Sequence, residues 1–379
     1  MRQCHCRGAA ARLALLSLGS PVPPAHYIRL GLPRPTLARR AIGVIAAAGL
    51  AVGLAACSDD SDDSSSNGSG SSSSGDFPRT VDSIAVSNGN PTDETEEVEI
   101  PEQPERIVST AATLTGSLLA IDAPVIASGA ATPGPTSDDK GFFKQWAEIA
   151  DERGVEEIGQ LEPDFEKIVG QDPDLIVVSA FGADTAVPLV ERLQDVAPTV
   201  VIDYSDKDWT EVTTQLGEIT GHEDEAEAAI QEFQDRAEEV TGNIEEPEQP
   251  VQFVLPTPDG NVNFMTEASA QGRILTELGW DLDVPGEGVA RTDGDYAGRT
   301  DVVQVTAENL DKGLTGKTVF ATNADPGKSA ADQLENQPAA KGTYAVENDR
   351  VFEFGAETFR IDFYSAMLML DAIEEFFSE

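Results

Sequence analysis

Glu223–Thr241 reads EDEAEAAIQEFQDRAEEVT. Ala226, Ala229, Ile230, Phe233, Ala237 and Val240 recur at helical spacing and form one apolar side. At 1.5 Å per residue the stretch predicts a helix of roughly 28 Å, long enough to cross a whole domain. Before it, apolar strand signals (RIVST at 106–110, PVIASG at 124–129, DLIVVSA at 174–180, TVVIDYS at 199–205) alternate with helical ones such as LTGSLLAI at 114–121 and KGFFKQWAEIADERG at 140–154. Trp209–Thr220 predicts a helix leading into the long one. After NIEEPEQP at 243–250 the alternation resumes: VQFVL, ASAQGRILTELGW, KTVFATN, SAADQLENQPAA, RVFEF and the closing FYSAMLMLDAIEEFF. DFEKIVGQDPDLIVVSA at 164–180 and TAENLDKGLTGKTVFAT at 306–322 echo each other, each running Glu, apolar turn of helix, polar turn, strand. The expected fold class is α/β: two doubly wound, parallel-sheet lobes bridged by one long helix. Such a pair leaves a crevice between its halves, where ligands settle. The expected boundaries are an N-terminal lobe over 97–222, a connecting helix over 223–244 and a C-terminal lobe over 250–379.

The N-terminus reads as an address. LARRAIGVIAAAGLAVGLAAC (37–57) carries Arg39-Arg40 and an apolar run from Ala41 to Ala56 that stops at Cys57. The run is too short for a membrane span and suits a signal peptide. LAAC (54–57) resembles the bacterial lipobox, which implies cleavage before Cys57 and lipid on its sulfur. Residues 1–56 are thus expected to be leader, with translation starting near Leu37. Residues 57–78 are expected to be a lipidated Cys and a Ser/Gly/Asp tether, whose 58–75 portion spans roughly 25 Å as a flexible chain.

Charge and cysteine use exclude several functions. The chain holds 68 acids against 25 Lys and Arg; seven of those Arg precede Cys57, leaving 18 cations beyond it. Such a surface repels phosphate backbones, so no nucleic-acid partner is expected. Cys57 is the last cysteine and His222 the only histidine after the leader, which excludes a thiolate or multi-histidine metal site there. No G-x-S-x-G, full P-loop or G-x-G-x-x-G occurs, so no enzyme is expected. His222, in TGHED, reads as a helix-junction residue.

RIVSTAATLTGSLLAIDAPVIASGAATPG (106–134), TQLGEITGH (214–222), SAQG (269–272) and ETFRIDFYSAM (357–367) resemble the ferric-enterobactin binding proteins of bacterial ABC iron importers. The resemblance runs from about Glu102 to Phe377, in order and with few gaps. It implies capture of a ferric catecholate siderophore outside the membrane and delivery to ABC permease subunits. It also implies a lipid-anchored form at the extracytoplasmic face of the membrane. A monomer is expected.

A ferric tris-catecholate is compact, aromatic and multiply negative, and its iron is already fully coordinated. A site for it needs cations and flat apolar walls, with no metal ligands and no cofactor. Arg suits the task because it stays charged, forks to adjacent oxygens and stacks on rings. At ~5 Å and an effective dielectric of ~20 each unit charge contributes on the order of 3 kcal/mol before desolvation. The resemblance places Arg360, in GAETFRIDFYSA, against ligand; from the residues alone it also reads as a partner of Glu357 or Asp362. Arg299 matches a second basic position, with a salt bridge to Asp301 as the other reading. Arg291, Lys140 and Lys144 are further cations within reach in sequence. Thr110, at a strand end, reads as cleft lining or helix cap.

Two departures from the family stand out. Met265 stands where close relatives carry tryptophan, and Thr136–Asp139 offers no Arg, leaving Lys140 as the nearest cation. The resemblance therefore points to the catecholate class rather than to enterobactin itself. Trp146 and Trp209 read as packing residues. Glu166 and Glu308, at matching places in the echo, are implied to dock on the permease; read singly, each is a solvated acid. Hydroxamate siderophore, haem and cobalamin stay as alternative cargoes, with Tyr296 and Tyr364 the available haem ligands.

Overall fold

The computed structural model describes residues 77–378 apart from 206, 292 and 324–327. The leader, Cys57 and the Ser/Gly/Asp tether lie outside the described residues. The chain enters on a hairpin, β1 (Arg79–Ser87) and β2 (Asn90–Ile100). Asn88 and Gly89 between them both have positive φ, 51° and 71°, the backbone a two-residue hairpin turn requires.

The N-terminal lobe follows as β3 (Ile107–Ser109), α1 (Ala112–Ala120), β4 (Val125–Ala130), α2 (Lys144–Glu152), β5 (Glu156–Gln160), α3 (Phe165–Gly170), β6 (Leu175–Ser179), α4 (Val190–Leu193), β7 (Thr199–Ile202) and α5 (Trp209–Thr220). Its five strands are parallel in the order β5-β4-β3-β6-β7. Apolar side chains leave β3, β6 and β7 on both faces, and a separate core fills each face. The hairpin lies against the outer edge of this sheet, where Ser83 Oγ accepts the Val201 N–H at 2.9 Å.

α5 begins in a capping box, in which Asp208 accepts from Glu211 N–H and Glu211 reaches back to Asp208 N–H. It ends at left-handed Gly221. α6 (Glu223–Asn243) starts at once, with His222 at its N-cap position and Glu223, Asp224 and Glu225 favouring its positive end. The histidine Nδ1 lies 3.0 Å from the Thr220 carbonyl. Ala226 of α6 sits in the N-terminal core, whereas Phe233 and Val240 sit in the C-terminal one. One rigid rod is thus embedded at both ends.

The C-terminal lobe holds β8 (Val251–Pro256), β9 (Val262–Met265), α7 (Ala270–Glu277), β10 (Val302–Val305), α8 (Leu310–Gly313), β11 (Thr318–Ala321), α9 (Ala330–Glu335), α10 (Tyr344–Glu347), β12 (Val351–Glu353) and α11 (Phe363–Phe377). Its sheet runs β10-β9-β8-β11-β12. β8, β11 and β12 are parallel, but β9 runs antiparallel to both its neighbours, so this sheet is mixed. The turn Thr257–Asn261, closed by Thr257 N–H to Asn261 C=O at 2.9 Å, is tight enough to send β9 straight back. α11 packs on α6 through Arg236, which bonds Asp371 at 2.8 Å and Glu374 at 2.6 Å. Among the described residues no helix is long and apolar enough to cross a membrane.

Candidate functional site

A cleft of about 530 Å³ opens between the lobes, within the 300–1,000 Å³ usual for small-molecule sites. From the N-terminal lobe it is lined by Thr113 and Ser117 of α1 and by Tyr204, Lys207 and Trp209 at the β7–α5 junction. The C-terminal lobe contributes Met265, Gln271, Arg299, Asp301, Phe359 and Arg360.

Arg360 is built into place by backbone. A short turn, Ala356–Phe359, precedes it, and Gln271 Nε2 donates to the carbonyls of Thr358 (3.2 Å) and Phe359 (3.1 Å). Ser365 Oγ donates to the Arg360 carbonyl at 2.9 Å. The exposed guanidinium lies 5.5 Å from the Phe143 ring centre and 5.9 Å from that of Phe359. Phe143 and Phe359 thus form an aromatic shelf beside it, to which the neighbouring Phe363 and Tyr364 do not contribute. Phe363 packs on Trp209, and Tyr364 turns inward, where burial pushes its phenol pKa upward. No ion pair to Arg360 is found among the described residues. Asp362 is unavailable as a partner because its carboxylate is buried, accepting from Ser365 N–H at 3.0 Å and from Gln145 Nε2 at 3.2 Å. Burial pushes Asp362 up to about 6, against hydrogen bonds from Ser365 and Gln145 that favour the ionised form.

Arg299 also faces the cleft, but forked onto Asp301 through Nε (2.9 Å) and a terminal nitrogen (2.5 Å). That bonding raises the arginine pKa and holds Asp301 below the usual carboxylate range. Arg299 is thus both cleft lining and salt bridge. Met265 closes β9 and offers its thioether to the wall.

Four other candidates stand apart from the cleft lining. Arg291 is exposed and pairs with Asp293 at 3.2 Å and Gln304 at 3.3 Å. Lys140 pairs with Asp151 along α2 and lies 5.8 Å over Phe142, while Lys144 is an exposed charge at the start of α2. Thr110 is wholly buried, and its carbonyl meets the backbone of Gly129 so closely that an added Cβ there would sit 2.1 Å away.

The reading missed the cation at Lys207, which donates to the Asp203 carbonyl at 2.8 Å. Its signal was position: it follows the C-terminal end of a parallel strand, where α/β sheets place ligands. Trp209 packs edge-on against Phe233, as its sequence context predicts, and lines the cleft too. Trp146 is fully buried between Phe142 and Phe143. Tyr296 donates to Asn263 at 2.8 Å and accepts from Gln304 at 2.6 Å, so its oxygen is already engaged.

Glu166 and Glu308 hold matching places. Each follows the edge strand of its sheet, β5 or β10, and precedes the fourth strand in the order, β6 or β11. Both side chains are exposed, and no partner for either carboxylate is found among the described residues.

The sequence profile of the periplasmic binding proteins matches residues 107–358. The chain belongs to this family. It is 42% identical over 304 residues to the ferric enterobactin-binding periplasmic protein FepB of Escherichia coli O6:H1, covering 80% of this chain and 92% of that one. It is 27% identical to the iron(3+)-hydroxamate-binding protein YxeB of Bacillus subtilis, over 67% and 74% of the two chains. Among solved structures, holo-ViuP superposes with a TM-score of 0.67 at 32% identity, over 80% of this chain and 96% of that one. The FhuD protein from S. pseudintermedius shares the fold at a TM-score of 0.57 and 18% identity, over 78% and 97%. The periplasmic binding protein fold explains the paired sheets and the single bridging helix together.

Proposed function

We propose that this periplasmic binding protein captures a ferric catecholate siderophore and delivers it to an ABC permease for iron uptake. The observation that carries the reading is Arg360. It is a cation with no ion pair among the described residues, held by two phenylalanine rings in the lining of an interlobe cleft in a chain with a net charge of −43. A fixed cation on an aromatic shelf matches the charge and the flat rings of a catecholate complex. Arg299 and Lys207 add positive charge on either lobe, and Met265 and Phe359 supply apolar wall. The FepB relative, with its 42% identity, supports the same cargo class.

Cys57 carries the lipid that keeps the protein at the extracytoplasmic face of the membrane. Glu166 and Glu308 dock on the permease. The protein binds and hands over its cargo as a monomer, without catalysis, and its iron is cargo rather than cofactor.

The test is a titration of the purified protein with ferric enterobactin, a ferric hydroxamate, haem and cobalamin, followed by tryptophan fluorescence. Saturable binding of the ferric catecholate alone supports the reading. Preference for any of the other three transfers the protein to that cargo.

A further inference from the structure

The two acidic tips are not alike. On α3, Ile168 is buried and Phe165 half-buried, so Glu166 and Val169, three residues apart, share the exposed face. Val169 is 38% exposed there. At the turn that feeds α3, Leu161 is 42% exposed and has φ +62°. A bulky residue seldom adopts that left-handed conformation. The turn holds it there by hydrogen bonds on both sides, Leu161 N–H to Ala130 C=O and Asp164 N–H to Ile158 C=O, both 2.7 Å. Folding gains nothing from an apolar side chain displayed to water on an unfavourable backbone. Such features concentrate where a surface has another task. The matching tip of the C-terminal lobe carries Asp311 three residues after Glu308, and Lys312 bonded to Asn309 at 2.9 Å; its exposed residues, Glu308, Asp311 and Lys312, are all charged.

We propose that Leu161 and Val169 form an apolar contact beside Glu166 through which the N-terminal tip docks on the permease. The occupant is an extracytoplasmic surface of the permease that sets an Arg or Lys next to apolar side chains. The Glu166 carboxylate, without a partner among the described residues of a strongly acidic chain, selects the basic group, and the two exposed hydrophobes select its neighbours. The C-terminal tip meets a purely polar site, so the two ends are not interchangeable. This inference rests on the siderophore-delivery reading.

The experiment uses radio-iron uptake from ferric enterobactin by the native host, lacking its own copy and complemented with variants of the full chain. Leu161→Asn keeps the left-handed backbone, which Asn tolerates, and removes the apolar group. Val169→Thr keeps the shape and adds a hydroxyl. Each is expected to leave siderophore affinity unchanged and to lower uptake about tenfold, as loss of one buried apolar contact requires. The thermal midpoint of Leu161→Asn stays level or rises, which separates docking from folding. Uptake at wild-type rates in both variants, with Glu166→Ala impaired, overturns the apolar contact and leaves the acidic docking intact. A wild-type chain that restores no uptake overturns both. A wild-type dimer in sedimentation that Leu161→Asn dissolves overturns the permease as occupant.

Discussion

Gln145 of α2 and Asp362 at the head of α11 share a hydrogen bond of 3.2 Å between the lobes, directly behind Arg360. Because burial raises Asp362 to about 6, its contribution to stability is fully present below about pH 4 and is lost as pH rises through about 6. Asp362→Asn removes that dependence. Chemical unfolding of wild type and variant at about pH 5 and about pH 8 is expected to show the variant gaining on the wild type at the higher pH. The gain is on the order of 3 kcal/mol at most. Parallel pH profiles for the two proteins would refute the assignment.

Arg360→Ala is expected to weaken ferric catecholate binding about 100-fold, the loss of one close charge pair. Stability moves by less than about 0.5 kcal/mol, because the guanidinium is exposed and has no ion pair among the described residues. Arg360→Lys falls between, since a point charge neither forks nor stacks as well. Titration of the three proteins side by side decides it; equal affinity removes Arg360 from the site.

Trp209 is the reporter of that titration. Trp146 is enclosed by Phe142 and Phe143, and Trp280 stacks on Phe320 within its own lobe. Trp209→Phe therefore abolishes most ligand quenching while calorimetry still records binding. Quenching that survives the substitution would place the ligand elsewhere.

Asp301 masks Arg299. Asp301→Asn is expected to tighten binding of the anionic complex about fivefold at low salt, an advantage that disappears at about 1 M salt. Weaker binding at low salt would show instead that the carboxylate is needed to aim the guanidinium.

The fold was legible where periodicity was strong. The α6 stripe, the all-parallel N-terminal sheet and the bounds of α5 and α11 were all written in apolar spacing. β9 was not, because a four-residue strand after DGN carries more turn signal than strand signal. The hairpin was missed although Asn88-Gly89 announces it, because its strands are rich in Asp, Glu and Thr and bury little. In the cleft, Arg360 and Arg299 were reached through resemblance, and both line it. Lys207 has no pattern of its own, and only strand order places it. Arg291, Lys140 and Thr110 show the converse: nearness along the chain says nothing of which way a side chain is fixed.

The hairpin at the entrance has a practical meaning for anyone trimming the protein. Ser83 occupies the Val201 amide on the last strand of the N-terminal sheet. Cutting the chain at the start of the α/β repeat would uncover that edge strand and bare the Val201 amide, a place where another molecule can add a strand. A product beginning near Pro101 should therefore self-associate, whereas one that retains Phe77–Ile100 should not.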